Sequence, residues 1–321
     1  MAALNVWIVG TLAALSLSLF LLLKIRRRRE GEPPIENGWI PYIGCALEFG
    51  ANPLKFLQIR QKKYGDAFTC KIAGNFITFI TDPFSYSSVI RHGKNLDFQT
   101  IALKISRRFT TFIIWFYIIY RSQEALKAVK NEIENLLCVT NQKPGDINNP
   151  IIFTREQLDS MTAMGSLINE SLRLSSASIM LRVATEDFVL TLDGGAKLAI
   201  RKGDQIGLYP QQLHFDPDIY EDPLVFKYDR FMDENGREKT TFYKNGRKLK
   251  YYLMPFGSGT SMCPGRYFAI NEIKQFLALL LCYYDMELLD ASAPIPLLDN
   301  SRVGFGILQP SHDIQFCYRL K

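Results

Sequence analysis

The sequence predicts a mainly α-helical fold with small β-sheets, an α+β body preceded by an N-terminal transmembrane helix. Three observations predict it. An uncharged run of twenty residues, Leu4 to Leu23, opens the chain and is enough helix to cross a bilayer. Segments with apolar residues at helical spacing follow, the clearest carrying them at 125, 126, 129, 133, 136 and 137. Strand-like stretches are short and scattered between turn signals. With 321 residues, 47% of them hydrophobic, the chain has room for one large domain or two small ones.

Lys24, Arg26, Arg27, Arg28 and Arg29 follow the apolar run at once, and no basic residue precedes it. The positive-inside rule then places the N-terminus in the lumen and the rest in the cytoplasm. A cleaved signal peptide carries its positive charge first and a small-residue cleavage site afterwards. Neither is present, so residues 1–24 read as an uncleaved, single-pass signal anchor of the endoplasmic reticulum. Residues 25–38 form a basic linker stiffened by Pro33-Pro34, and residues 39–321 form the body. The net charge of +6 owes much to the arginine cluster, which speaks for a membrane surface rather than nucleic acid. The six cysteines (45, 70, 138, 263, 282, 317) include no CxxC pair, and on the cytoplasmic side they stay reduced. His92, His214 and His312 lie too far apart for a zinc-like spacing.

Residues 68–72 and 76–80 read as two strands joined by Ala73-Gly74-Asn75, a hairpin signal. Asp82-Pro83 opens a helical stretch through Val89. Ser122 caps a helix over 123–137, and a polar loop covers 140–150. A helix over 157–174 precedes strand-like segments near 179–183, 188–192 and 197–200. Residues 210–250 are turn-rich and charged, a helix spans 267–284, and a β-like tail runs over 285–318.

The segment with the most chemistry is Phe256-Gly257-Ser258-Gly259-Thr260-Ser261-Met262-Cys263-Pro264-Gly265-Arg266. A metal-ligating thiolate must be deprotonated, shielded and supplied with backbone N–H donors. Cys263 stands just before the positive end of the predicted helix, and the glycines let a flat group lie against the backbone. The spacing Phe-x-x-Gly-x-x-x-Cys-x-Gly resembles the heme-ligand loop of the cytochrome P-450 monooxygenases, whose iron is held by a cysteine thiolate. Glu170 and Arg173, three apart on one helix face, and Arg230 in Phe226-Lys227-Tyr228-Asp229-Arg230-Phe231 stand before that loop in the family's order.

The resemblance implies a cytochrome P-450 fold binding heme b, with Cys263 as axial ligand to the iron. Phe256, Gly259 and Gly265 would line the cofactor, and Glu170, Arg173 and Arg230 would form a buried ionic cluster of structural role. Arg182 matches a position that contacts a heme propionate; from the residues alone it reads equally as a surface arginine on an edge strand. His214 matches a turn before the Arg230 segment and is expected to be structural.

Residues 31–38, 44–53, 170–178 and 240–265 resemble the sterol-oxidising branch of the family. The implied activity is insertion of one oxygen atom from dioxygen into a sterol at C7, in sterol catabolism and bile acid synthesis; hydroxylation of an oxysterol at C7 or of a sterol at C12 is the alternative that the resemblance implies. Electrons would come from NADPH through a membrane-bound reductase. Residues 227–250 hold eight Lys/Arg against four Asp/Glu, which suits such an acidic partner and equally a solvated loop. The matched segments come from opposite sides of the family's middle, with a junction near Arg108-Phe109-Thr110. The distal segment that delivers protons to bound dioxygen has no counterpart, so no catalytic residue is assigned. The chain therefore also reads as a membrane-tethered product that holds heme or reductase without turnover.

Overall fold

The computed structural model describes residues 26–40, 42–92, 96–97, 122–144 and 150–290, and between 292 and 321 all but 293, 295, 301, 302, 305, 309 and 313. The apolar run 4–23 and the junction near 108–110 lie outside the described residues. No helix among the described residues is long and apolar enough to cross a membrane. The chain divides into two compact units, residues 1–105 with 180–209, and residues 106–179 with 210–321.

The first unit is built on a six-stranded sheet. Its strands are β1 (Ile35–Glu36), β2 (Ala67–Ile72), β3 (Asn75–Ile80), β4 (Leu96–Asp97), β5 (Met180–Ala184) and β8 (Gln205–Leu208), while β6 (Phe188–Thr191) and β7 (Lys197–Ile200) pair separately. The spatial order is β1-β2-β3-β8-β5-β4. The anticipated hairpin is present, with β2 and β3 antiparallel from Ala67 opposite Ile80 to Ile72 opposite Asn75. Its two turn residues, Ala73 and Gly74, both have positive φ (46° and 82°), the backbone that matches strand twist in a tight hairpin. Phe68, Phe79, Ile80, Ile206 and Leu208 are buried in this unit.

Two helices the sequence reading passed over, α1 (Ala46–Ala51) and α2 (Pro53–Tyr64), precede the hairpin. Asn52 caps α2 through Oδ1, which accepts from Lys55 N at 3.0 Å, and Pro53 supplies the preset φ of a first helical residue. Beyond the hairpin, the Asp82 carboxylate accepts from Phe84 N and Ser85 N at 3.1 Å each. That starts a short 3₁₀ turn running into α3 (Tyr86–Arg91).

The basic linker is docked onto this sheet. Glu32 is 2% exposed and accepts from Arg26 Nη2 at 3.1 Å, Arg201 Nη2 at 3.0 Å and Arg29 N at 2.9 Å. Arg26 also pairs with Asp204 and lies over the Phe76 ring, 5.0 Å from its centroid. Burial raises the Glu32 pKa, but the Arg201 hydrogen bond, the Arg29 N–H and the two guanidinium charges outweigh it, and the net value falls to about 2.

The second unit is mainly helical. It holds α4 (Gln123–Thr140), α5 (Arg155–Ser160), α6 (Thr162–Ser175), α7 (Pro210–His214) and α8 (Arg266–Tyr283), with the short pairs β9 (Tyr243–Lys244)–β10 (Arg247–Lys248) and β11 (Tyr284–Leu288)–β12 (Phe316–Leu320). Val129 and Ile133 of α4, Leu167 and Ile168 of α6, and Leu277 and Leu281 of α8 share one apolar core.

Several expectations are corrected here. The helix expected over 157–174 is two helices. Thr154 and Gln157 form a reciprocal capping box that starts α5 early, and Met161 leaves helical geometry. The second helix then starts on a carboxylate borrowed from α4, since Glu132 accepts from Ala163 N at 2.7 Å and Met164 N at 3.0 Å. Helix α4 runs through Thr140, where the loop was expected to begin, and stops at Asn141 in a left-handed cap (φ 52°). Among its described residues the β-like tail forms strands at its two ends, β11 and β12, with isolated bridges between them. Strands are more numerous than anticipated, because β1, β4 and β8, of two, two and four residues, are too short to show a period of two.

Candidate functional site

The cysteine loop is shaped by backbone contacts. Cys263 N donates to Phe256 O at 2.9 Å and Met262 N to Gly259 O at 3.1 Å, folding the segment back on itself. Gly257 and Gly259 hold φ of 74° and 71°, values costly for a residue with a side chain. Helix α8 starts at Arg266, with Gly265 as its N-cap, so Cys263 stands two residues before the cap. Arg266 Nη1 donates back to Cys263 O at 3.1 Å.

Cys263 is a free, exposed thiol. A Cβ built on Gly265 would lie 3.9 Å from Sγ and meet nothing else within 4 Å, and one on Gly257 would meet only Ser261 O at 3.8 Å. The approach to the sulfur is therefore open. Among the described residues no group of three or more His, Cys, Asp or Glu could hold a bare metal ion. A single uncovered sulfur suits a metal whose other ligands come with it, as in heme. Phe256, half-buried against the helical core, and Gly259 belong to the same loop.

On the core side, Glu170 and Arg173 of α6 are both completely buried. Arg173 donates a bidentate pair to Glu170, Nε at 2.7 Å and Nη2 at 2.8 Å. Arg230 Nε adds bonds of 2.9 and 3.0 Å to the same carboxylate, and Lys227 N one of 3.1 Å. The remaining donors go to backbone carbonyls. Arg173 Nη1 reaches His214 O at 2.6 Å and Pro223 O at 2.7 Å, and Arg230 Nη1 reaches Glu221 O at 2.6 Å. A carboxylate with two guanidinium partners and a full set of hydrogen bonds is what lets charge sit in a dry interior. Helix spacing brings Glu170 to Arg173, and the chain after α7 brings in Arg230.

His214 joins this centre. It is fully buried, and Nε2 accepts from Met254 N at 3.0 Å, so the neutral ring carries its proton on Nδ1, an atom with no hydrogen-bond partner. Burial first, then the Arg173 charge, pushes its pKa down to about 3. Met254 lies two residues before Phe256, so one histidine ties the ionic centre to the start of the cysteine loop.

Arg182 belongs to the first unit. It is the third residue of β5, which lies between β8 and β4 and is not an edge strand, and its Nη1 donates to Leu181 O at 2.8 Å. Of the predicted site residues, Cys263, Phe256, Gly259, Gly265, Glu170, Arg173 and Arg230 all lie in the second unit.

Sequence reasoning missed Lys274 of α8, which is buried. Its Nζ donates to Leu158 O at 2.8 Å, and burial lowers its pKa. It lines a cleft of about 510 Å³ together with Gly165, Met254, Phe256, Met262 and Asn271. Cys263 is not among the lining residues, although Phe256, Gly257, Met262 and Arg266 of its loop and the following helix are. Glu132 was missed too, because a carboxylate that caps a distant helix leaves no local pattern. The basic run 227–250 is less available than its composition implies. Lys227 pairs with Glu221 and Asp222, Arg230 with Glu170, and Lys244 with Asp216 and Asp218.

A free cysteine on a glycine-shaped loop before a long helix, backed by a carboxylate clamped between two arginines, is the arrangement of a heme-thiolate protein. The chain belongs to the cytochrome P450 family, whose model matches residues 108–318. The family's enzymes are monooxygenases that use heme and electrons passed from NADPH by a reductase. The chain is 34% identical to "Cytochrome P450 7A1" of Sus scrofa, over 97% of this chain and 98% of that protein. It is 32% identical to "Cholesterol 7-alpha-monooxygenase" of Cricetulus griseus, over 94% and 96%. A shorter match, 40% identical, joins 66% of the chain to 42% of a human "7-alpha-hydroxycholest-4-en-3-one 12-alpha-hydroxylase". The span aligned with the Sus scrofa protein is 492 positions long against 321 residues here, so at least 171 of those positions face no residue of this chain.

Proposed function

We propose that the chain descends from a sterol 7α-hydroxylase and holds heme through the Cys263 thiolate. The exposed, uncrowded sulfur of Cys263 carries this reading, and relatives named for cholesterol 7-alpha-monooxygenation support the substrate class. When bound, heme supplies reductive activation of dioxygen and transfer of one oxygen atom to a sterol carbon. The protein's part on the sulfur side is to present Cys263 as an anion, to keep its loop folded through Cys263 N to Phe256 O, and to hold that loop through His214 and the Glu170 centre. The assignment of Arg182 to a heme propionate rests on the resemblance alone. Residues 1–24 act as the endoplasmic reticulum anchor, with a lumenal N-terminus and a cytoplasmic body; the uncharged run and the arginines after it support this.

The test is the reduced, CO-bound absorption spectrum of the full chain reconstituted with heme. A thiolate-ligated heme gives a red-shifted Soret band, which Cys263→Ala is expected to abolish while leaving the fold intact. An unchanged band in that variant would overturn the assignment.

A second reading is favoured by the 171 or more unmatched positions. With the junction near 109–110, the distal residues that bind the sterol and deliver protons are missing, and this chain binds heme without turnover. Expression in membranes with reductase and cholesterol is expected to yield no hydroxylated sterol above background. Product formation would sink this second reading and leave the first standing.

A further inference from the structure

The first unit holds two cysteines close together, and the heme site uses neither. Cys45 is 2% exposed and Cys70 is completely buried. Backbone contacts bring them to each other. Cys70 of β2 stands opposite Glu36 of β1 in the parallel register, and the Cys45 sulfur lies 4.0 Å from Glu36 O. Cys45 N donates to Lys71 O at 2.8 Å, the residue next to Cys70. A bridge between Gly44 and Ile72 continues that contact. Gly44 has a φ of 60°, and a Cβ there would lie 2.2 Å from Lys71 O, so the chain entering Cys45 is packed directly on β2. The two thiols share a hydrogen bond.

The pair is not symmetric. The hydrogen bond with Cys70 pulls the Cys45 pKa below its ordinary value, helped by the Arg60 charge and opposed by burial, Glu36 and Glu48. The same bond, then burial, then the Cys45 charge push Cys70 up, so Cys70 keeps its proton. Arg60 of α2 is 6% exposed and donates to Glu36 at 2.9 Å and Glu48 at 2.6 Å. Its Nε has no hydrogen-bond partner among the described residues. A thiol that ionises readily beside one that stays protonated is the arrangement of an attacking and a resolving cysteine. The cover over the pair is thin. Cys45 is the N-cap of α1, a helix of six residues with none buried, so lifting it exposes little apolar surface.

We propose that Cys45 and Cys70 are a redox-active dithiol, a site of covalent modification that a peroxide converts to a disulfide. With hydrogen peroxide, the Cys45 thiolate attacks one oxygen. The O–O bond breaks, an S–O bond forms, and the departing hydroxide takes up a proton as water. Cys45 is then a sulfenic acid, oxidised by two electrons. The Cys70 sulfur attacks the Cys45 sulfur, the S–O bond breaks, and the Cys70 proton leaves with the hydroxide as a second water. Two thiols and one peroxide give one disulfide and two waters. In a reducing compartment the pair rests as two thiols, as it does in the structure, and peroxide staples the start of α1 to β2.

The test uses the full chain with its exposed cysteines replaced, Cys138→Ser/Cys263→Ser/Cys317→Ser, which leaves Cys45, Cys70 and Cys282. Reductant is removed, hydrogen peroxide is added, and free thiols are alkylated in urea and located by peptide mass. The count is expected to fall from three to one, with Cys282 alkylated and a dithiothreitol-sensitive link joining the Cys45 and Cys70 peptides. The same treatment begun in urea is expected to scatter links among all three cysteines, because only the fold selects the pair. Adding Cys70→Ser should strand the reaction at the sulfenic acid, so that dimedone labels Cys45. Adding Cys45→Ser should leave Cys70 and Cys282 unlabelled. Three free thiols after peroxide, thiols lost without a link, a link to Cys282, a link between two copies of the chain, or dimedone on Cys70 would each overturn the proposal. If a single variant fails to fold, the link map of the parent chain decides alone.

Discussion

Two carboxylates, one in each unit, are each gripped by two arginines, and they differ in depth and in origin. Glu170 is wholly enclosed, receives Arg173 and Arg230, and every element around it is helix or loop of its own unit. Glu32 belongs to the linker itself, and although its carboxylate is buried its partner Arg201 is partly exposed. The first centre fills the interior behind the cysteine loop. The second fastens a linker to a surface. Arginines left unpaired in an enclosed site cost far more than one that can turn to water, and Arg173 is fully enclosed where Arg201 is 22% exposed, so the same chemistry gives one centre that the fold depends on and another that sets the position of a segment.

The largest expected effect is therefore at Glu170. Glu170→Ala leaves two buried guanidinium groups unpaired, and should cost about 3–5 kcal/mol in urea denaturation, with loss of heme uptake. An equal loss in Glu32→Ala would erase the distinction between the centres.

Next comes acid. His214 is neutral when folded, with its pKa near 3, against an ordinary value of 6.5. Its contribution is complete above pH 6.5 and declines as pH falls toward 3, because the unfolded chain takes up the proton first. Stability should drop by about 3 kcal/mol between pH 6.5 and pH 4 from this residue. His214→Gln, which can still accept from Met254 N, should flatten that limb of a pH–stability profile.

Glu32→Ala should cost about 1–3 kcal/mol, the range for buried hydrogen-bonded groups losing an acceptor. Its linkage runs at lower pH. The Glu32 pKa is about 2 when folded against 4.5 unfolded, so its contribution is full above pH 4.5 and disappears as pH falls to 2. The two acid limbs, one starting at 6.5 and one at 4.5, should be separable by comparing the single variants. Smallest is Arg201→Lys, which keeps the charge and loses the two-point grip on Glu32; below about 1 kcal/mol is expected.

Legibility in the sequence follows the same division. Glu170 and Arg173 are one helical turn apart, so their pairing could be read from spacing, and the cysteine loop could be read from its glycines. The hairpin at 73–75 was equally visible, because turn chemistry is local. What stayed hidden is what chain crossing decides. Glu32 meets Arg201 across 169 positions, Glu132 caps a helix that begins thirty residues later, and Met161 breaks a helix whose apolar pattern runs on without interruption. The arginines after the apolar run read as one basic cluster, yet Arg26 is ion-paired with Glu32 and Asp204, whereas Arg27, Arg28 and Arg29 stay exposed and Arg28 Nε reaches only the Glu32 carbonyl, at 2.8 Å. Composition gives the sum of the charges but not which of them the fold has already neutralised.

The exposure of Cys263 also gives the chain a countable chemical signature. Of its six thiols, Cys138, Cys263 and Cys317 are exposed, while Cys45, Cys70 and Cys282 are buried. A thiol-reactive reagent should therefore titrate three equivalents in the native, heme-free protein and six once it is unfolded. Loading heme should remove one from the native count, leaving two, and Cys263→Ala should start at two and stay there. That stoichiometry reports ligation through alkylation rather than through light absorption.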